Sequence, residues 1–107
     1  MSWFSKLFGG GAAAAPSHQV NGAGARELVA KGAWLLDVRT PMEFRGGHIQ
    51  GAVNVPVDEL PRRMDEVPAG RAVVVYCRSG ARSARAVRML EAAGKGPVHD
   101  LGPMGAW

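Results

Sequence analysis

The chain has 107 residues, 47% of them hydrophobic and 21% charged, which allows one globular core, leaves no room for a second domain, and excludes an unfolded polyelectrolyte. One cysteine excludes an internal disulfide framework and a cysteine-rich zinc site, so Cys77 is either a packing residue or a reactive thiol. The net charge of +4 is unevenly distributed: residues 1–36 carry +2, residues 37–76 carry −1, and residues 77–107 carry +3.

The first stretch holds nineteen residues without a formal charge, Leu7 to Ala25, but glycines 9 to 11, Pro16 and the polar Ser17, His18, Gln19 and Asn21 break it too often for a membrane span. Trp3 and Phe4 precede the only lysine of the segment, which argues against a secretory leader and allows a short interfacial helix face as an alternative. The reading adopted is a flexible tail over residues 1–19 and a folded domain over residues 20–107, cytoplasmic, with a periplasmic address as the lesser alternative.

From residue 20 onward, helical and strand signals alternate. Asn21 is a helix cap, with Leu28 and Val29 facing inward and Gly32 ending the helix after Lys31. Trp34 to Val38 is a short apolar run that ends in charge, the pattern of a buried strand whose end meets solvent. Pro41 opens a helical turn through Arg45, the pair Gly46-Gly47 breaks it, and Ala52 to Val55 reads as another strand. Val57 to Val67, with Leu60 and Met64 four apart and prolines at both borders, predicts a helix. Ala72 to Tyr76 is nearly pure β-former and is the central strand. Ser83 to Ala93 has a helical period, with Ala84, Val87, Leu90 and Glu91 on successive turns and Gly94 as its stop, and Val98 to Leu101 is a last short strand.

Strands separated by helices imply an α/β sandwich around a mostly parallel sheet, in which ligands sit at the carboxyl ends of strands. Two places qualify: the end marked by Asp37 and Arg39, and the end after Tyr76, where the next residue is the lone cysteine. The segment Cys77-Arg78-Ser79-Gly80-Ala81-Arg82-Ser83 joins that strand to a helix. Its small residues let successive N–H groups turn inward as an anion nest at a helix N-terminus, and a thiolate placed there is stabilised by those donors and by the flanking Arg78 and Arg82. Four arginines within eleven acid-free residues, Arg78, Arg82, Arg85 and Arg88, also raise nucleic-acid binding. No aromatic residue interleaves them, so a local field for a small anion is the better reading, with no nucleic acid and no stable membrane insertion.

Four motifs resemble the rhodanese, or sulfurtransferase, domains in their single-domain bacterial form. These are Leu36-Asp37-Val38-Arg39 with Glu43-Phe44; the run from Gly47-His48-Ile49 to Pro56; the strand and loop from Val73 to Ser83; and the closing Asp100-Leu101-Gly102-Pro103-Met104-Gly105-Ala106-Trp107. The resemblance implies an α/β/α sandwich with helices flanking a mostly parallel central sheet. It also implies that Cys77 takes a sulfane sulfur from a small anionic donor such as thiosulfate and holds it as a persulfide. Cyanide, a thiol, thioredoxin or a sulfur-carrier protein would then accept it, with no cofactor and no metal.

Related dual-specificity phosphatases would require an arginine six residues after the cysteine, where this chain has Ser83, so phosphatase or arsenate reductase chemistry is the rival on the same fold. A non-catalytic binding module is the rival from another class, and the presence of Cys77 speaks against it. Asp37 and Arg39 read as supporting residues that fix neighbouring loops by hydrogen bonds and an ion pair, with Glu43 as a candidate partner. His48 reads as a hydrogen-bonding turn residue, Gly51 as a site of close backbone approach, and Trp107 as an apolar end piece.

Overall fold

The computed structural model describes residues 18–107, so the tail expected ahead of His18 lies outside the described residues. Residues 18 to 20 run beside the last strand: Gln19 bridges in parallel to Asp100, and the Val20 N–H donates to the Asp100 carbonyl at 3.1 Å. Helix α1 spans Gly22–Ala30 and is capped by Asn21, whose side chain accepts from the Gly24 N–H at 2.8 Å. Strand β1 is Trp34–Asp37, α2 is Pro41–Arg45, β2 is Val53–Asn54, β3 is Val73–Cys77, α3 is Ala81–Ala92 and β4 is Val98–Pro103. No helix among the described residues is long and apolar enough to cross a membrane.

The sheet has the order β2-β1-β3-β4 with every pair parallel. Because side chains alternate along a strand, β3 serves two cores at once. Val73, Val75 and Cys77 face a core with Leu36, Val55, Leu60, Ala86, Val87 and Leu90, whereas Val74 and Tyr76 face one with Ala25, Leu35, Ile49 and Leu101. Helix α3 therefore covers one side of the sheet and α1 the other, which makes the expected α/β/α sandwich. Trp107 packs against the second core, as an apolar end piece should.

Several local readings need correction. The segment expected as a helix over 57–67 is a 3₁₀ helix, Leu60–Glu66, broken by a non-helical Arg63. Pro61 sits in its first turn and Pro68 follows its end, so regular i to i−4 bonding never has the length to establish itself. The strand expected over 52–55 keeps only Val53 and Asn54, since Gly51 turns the chain at φ +89° on one side and Pro56 follows on the other. That glycine serves the turn and not a close approach, because a Cβ built on it meets nothing within 4 Å. On α3 the buried face is Ser83, Ala86, Val87 and Leu90; Glu91 is exposed and Ala84 half-buried. The helix also starts two residues earlier than its period indicated, and β4 runs two residues past Leu101 after an irregularity opposite Val75 and Tyr76.

Strand order reverses between β1 and β3, since the chain leaves β1 for one edge and β3 for the other. Their carboxyl ends therefore open a crevice, and Asp37 pairs in register with Tyr76, one residue before the cysteine. Leu90, with no exposed surface, packs with Ala86 and Val87 into the core between α3 and the sheet. Leu90→Ala is expected to cost about 2–5 kcal/mol in urea unfolding, and a loss well under 1 kcal/mol would show that α3 does not dock through it.

Candidate functional site

At the carboxyl end of β1, Asp37 has no exposed surface and Arg39 only 4%, yet both are charged. The cost is met by geometry. Asp37 accepts from the Arg39 backbone N–H at 2.9 Å and from the Arg39 guanidinium at 2.7 to 3.1 Å, and the same guanidinium donates to the Gly47 carbonyl at 2.8 Å. Arg39 also lies over the Tyr76 ring, 5.6 Å from its centroid. Asn54 completes the knot by donating to the carbonyls of Asp37 and Arg39 at 3.0 and 2.9 Å. The expected ion pair thus forms between Asp37 and Arg39 themselves, and Glu43 is not part of it.

At the end of β3, Cys77 is the last strand residue, and it is buried. Its Sγ accepts a hydrogen bond from the Gly80 N–H at 2.9 Å. Gly80 adopts φ +111°, a left-handed conformation that costs glycine least, and this turn aims its N–H back at the sulfur. Ser83 fixes the same residue from the other side: its buried hydroxyl donates to the Gly80 carbonyl at 3.0 Å. Arg78, Ser79 and Ala81 point outward and are exposed. The loop thus places one oriented N–H on the sulfur at the head of α3, the end of a helix that favours negative charge.

The flanking arginines, expected to act alike, are different. Arg82 is the second residue of α3 and is held by Glu43, its guanidinium nitrogens donating to the two carboxylate oxygens at 2.8 and 3.1 Å. Glu43 is itself placed by a capping box, accepting from the Thr40 N–H at 2.9 Å while Thr40 Oγ1 accepts from the Glu43 N–H at 3.2 Å. Together the Arg82 guanidinium and then the Thr40 N–H pull the Glu43 carboxyl down to about 2. Arg78, the residue after the cysteine, has no ion-pair partner among the described residues, and it lines the cleft at this end of the sheet. Arg85 lies 3.4 Å from Asp58 at the surface, and Arg88 lines a different groove with His18, Gln19 and Asp100.

A cleft of about 280 Å³ lies at this end of the sheet, lined by Arg39, Glu43, Gly46, Gly47, Arg78 and Met104. The capping box of Glu43 was legible as a local Thr-x-x-Glu pattern, but its bond to Arg82, 39 residues on, has no local signal. Asn54 and Met104 were missed as members of this neighbourhood for the same reason. His48 is the expected turn residue, with Nδ1 2.8 Å from the Phe44 carbonyl and its ring stacked on Phe44. Among the described residues no three His, Cys, Asp or Glu side chains gather where a metal could be held.

The sequence model of the rhodanese-like domain matches residues 23–106. A sulfurtransferase of Allochromatium vinosum is 47% identical over 74 residues, covering 68% of this chain and 69% of that protein. A chloroplastic thiosulfate sulfurtransferase of Arabidopsis thaliana is 38% identical over 96 residues, covering 78% of this chain and 80% of the plant protein. Among solved structures, a rhodanese-related protein of Thermoplasma volcanium superposes with a TM-score of 0.76 at 32% identity, over 84% of this chain and 89% of that one. The chain belongs to the rhodanese-like family.

The Glu43 carboxyl makes one prediction independent of activity. Its folded-state value lies below the ordinary carboxylate range, so the stability it contributes is present above about pH 4.5 and is lost as the pH falls toward 2. Glu43→Gln should therefore flatten the acid limb of a plot of urea midpoint against pH between those values. An acid limb of unchanged steepness in the variant would contradict the Arg82 pairing.

Proposed function

We propose that this chain is a sulfurtransferase in which Cys77 takes a sulfane sulfur from a small anionic donor such as thiosulfate and passes it to a thiol or cyanide acceptor. The observation that carries the reading is the Gly80 nitrogen, which donates its N–H to Cys77 Sγ at 2.9 Å, at the end of a strand. In the first step the Cys77 thiolate attacks the outer sulfur of thiosulfate, a new S–S bond forms, the old one breaks, and its electron pair leaves with sulfite. In the second, an acceptor nucleophile attacks the outer sulfur of the persulfide and the pair returns to Cys77. Atoms and electrons balance within sulfur, and the cycle needs neither metal nor cofactor. Two half-reactions through one covalent intermediate give ping-pong kinetics.

Each site residue has a role in this cycle. The Gly80 N–H, already on Sγ, stabilises the thiolate and then the persulfide. Ser79, Gly80 and Ala81 provide a loop small enough to turn around the sulfur, and Ser83 holds that turn by its bond to Gly80. Arg78 attracts the donor anion and the departing sulfite. Asp37 and Arg39 act at a distance, keeping the facing strand end rigid. A persulfide extends the reactive sulfur by about 2 Å beyond Sγ, which brings it nearer to an acceptor than the buried thiol itself. Thioredoxin or a sulfur-carrier protein in the cytoplasm would meet it there. Phosphoryl or arsenate chemistry has less support, because Ser83 stands where a second anion-binding arginine would be needed and Arg82 is engaged by Glu43.

Mass spectrometry after incubation with thiosulfate is expected to show a gain of one sulfur atom that cyanide removes. Cys77→Ser, which fills nearly the same volume, should show no gain and form no thiocyanate. Retained thiocyanate formation in that variant would overturn the reading. Arg78→Ala should raise the KM for thiosulfate by about 5- to 50-fold, with the effect shrinking at high salt, whereas Arg85→Ala and Arg88→Ala should stay within about twofold. Equal losses in all three variants would show that a diffuse field, and not Arg78, recruits the donor.

A further inference from the structure

A second groove lies between α3 and β4, with residues 18 and 19 as a further wall. Backbone bonds hold that wall in place: the Asp100 N–H donates to the His18 carbonyl at 2.6 Å, and the Val20 N–H donates to the Asp100 carbonyl at 3.1 Å. The groove holds about 360 Å³, within the range of sites that take small organic molecules. Two opposite charges line it without meeting. Arg88 on α3 is exposed, Asp100 on β4 is half-buried, and neither makes an ion pair among the described residues, with each other or with any third group. Glu91, the other carboxylate of the groove, is engaged by His18. Asp100 carries the sharper signal, because its Oδ1 is enclosed by protein and has no hydrogen-bond partner. The charge of a carboxylate is shared by both oxygens, and one oxygen left bare inside a protein is costly. The compensation open to this group comes through the groove that it lines.

We infer that this groove is a binding site for a small zwitterion of the amino-acid class, whose ammonium donates to the Asp100 carboxylate and whose carboxylate accepts from the Arg88 guanidinium. Opposite wall charges that stay apart fit a ligand carrying both signs on one short body. A simple anion would satisfy Arg88 and leave Asp100 bare, and a simple cation would do the reverse. Ala84 and Val87, one turn apart on α3, give the aliphatic part of the ligand an apolar floor. The groove shares no lining residue with the cleft beside Arg78. An adjoining hollow shares Gln19, Ala84 and Asp100 with it and reaches Gly80, so the side chain of a bound amino acid has a path toward the cysteine loop. No sulfur is transferred in this step, and the inference does not rest on the sulfurtransferase reading.

The test is an amide chemical-shift titration of the full chain with three matched probes: L-norvaline, pentanoate, which lacks its ammonium, and n-butylamine, which lacks its carboxylate. L-Norvaline should give saturable shifts at Ala84, Arg88 and Asp100, with a Kd about tenfold or more below that of either single-charge probe, because each charge-assisted hydrogen bond contributes on that order. Asp100→Asn should weaken L-norvaline to within about threefold of pentanoate, and Arg88→Gln should weaken it to within about threefold of n-butylamine, since each variant deletes one contact and spares the other. A merely structural role for either residue would not produce that crossed pattern. Asp100→Asn should also leave the urea midpoint unchanged or raise it, because a carboxylate without a donor costs the fold stability. Absence of saturable shifts with L-norvaline, equally tight binding of a single-charge probe, or a lowered urea midpoint in Asp100→Asn overturns the assignment. Persulfide formation at Cys77 is read separately, so none of these outcomes bears on the sulfurtransferase reading.

Discussion

A carboxylate without exposed surface is the constraint from which this end of the molecule is built. Asp37 sits on β1, the strand beside the one that carries the cysteine, and an isolated charge there would be untenable. Its cost is offset by a run of donors from Arg39, whose guanidinium in turn reaches the Gly47 carbonyl. Because each member is satisfied only when the others are in place, the β1 end, the turn at Gly47 and the end of β2 at Asn54 lock as a unit. Removing one partner would leave the other buried and unpaired, a penalty on the order of 3–5 kcal/mol. The pair is thus a fixture that holds one wall of the crevice still.

The opposite wall is held by different means. Around Cys77 the constraint is backbone geometry: a left-handed Gly80 brings its N–H onto the sulfur, and Ser83 locks the carbonyl of the same residue. A negative charge on sulfur is then met by a donor already in position, so little reorganisation is needed when the charge appears. The walls are joined by the bond from Glu43 on α2 to Arg82 on α3, which ties the cleft rim to the loop and removes one cation from the field. The same ion pair therefore sets both the position of the rim and the charge that Arg82 presents.

What the sequence revealed and what it concealed divide along the range of the interactions. The parallel sheet, its central strand, expected over Ala72 to Tyr76 and found over Val73–Cys77, and the placement of Cys77 at a strand end follow from apolar runs and small-residue turns that any ten-residue window contains. Sequence also marked Asp37 and Arg39 as a supporting pair, because two opposite charges two residues apart at the end of a strand have one another within reach. It misjudged Arg82, which local spacing assigns to the loop and tertiary structure assigns to Glu43. It misjudged the segment after Val57 as well, where a four-residue spacing of Leu60 and Met64 outweighed the prolines that confine it to a 3₁₀ helix. Burial on α3 shifted by one residue for a related reason: Ser83 faces inward because its hydroxyl has the Gly80 carbonyl to satisfy, a partner that hydrophobicity alone cannot see.

Ser83 also bears on why the loop suits sulfur. A phosphoryl group presents three equatorial oxygens that need donors on several sides, which backbone N–H groups and an arginine six residues after the cysteine would supply. Here the residue six positions past the cysteine is turned inward to fasten the loop, the one before it is held by a carboxylate, and a single N–H rests on Sγ. A terminal sulfur of a persulfide is one atom wide and carries one charge. For such a species one oriented N–H at a helix N-terminus supplies compensation of the right size.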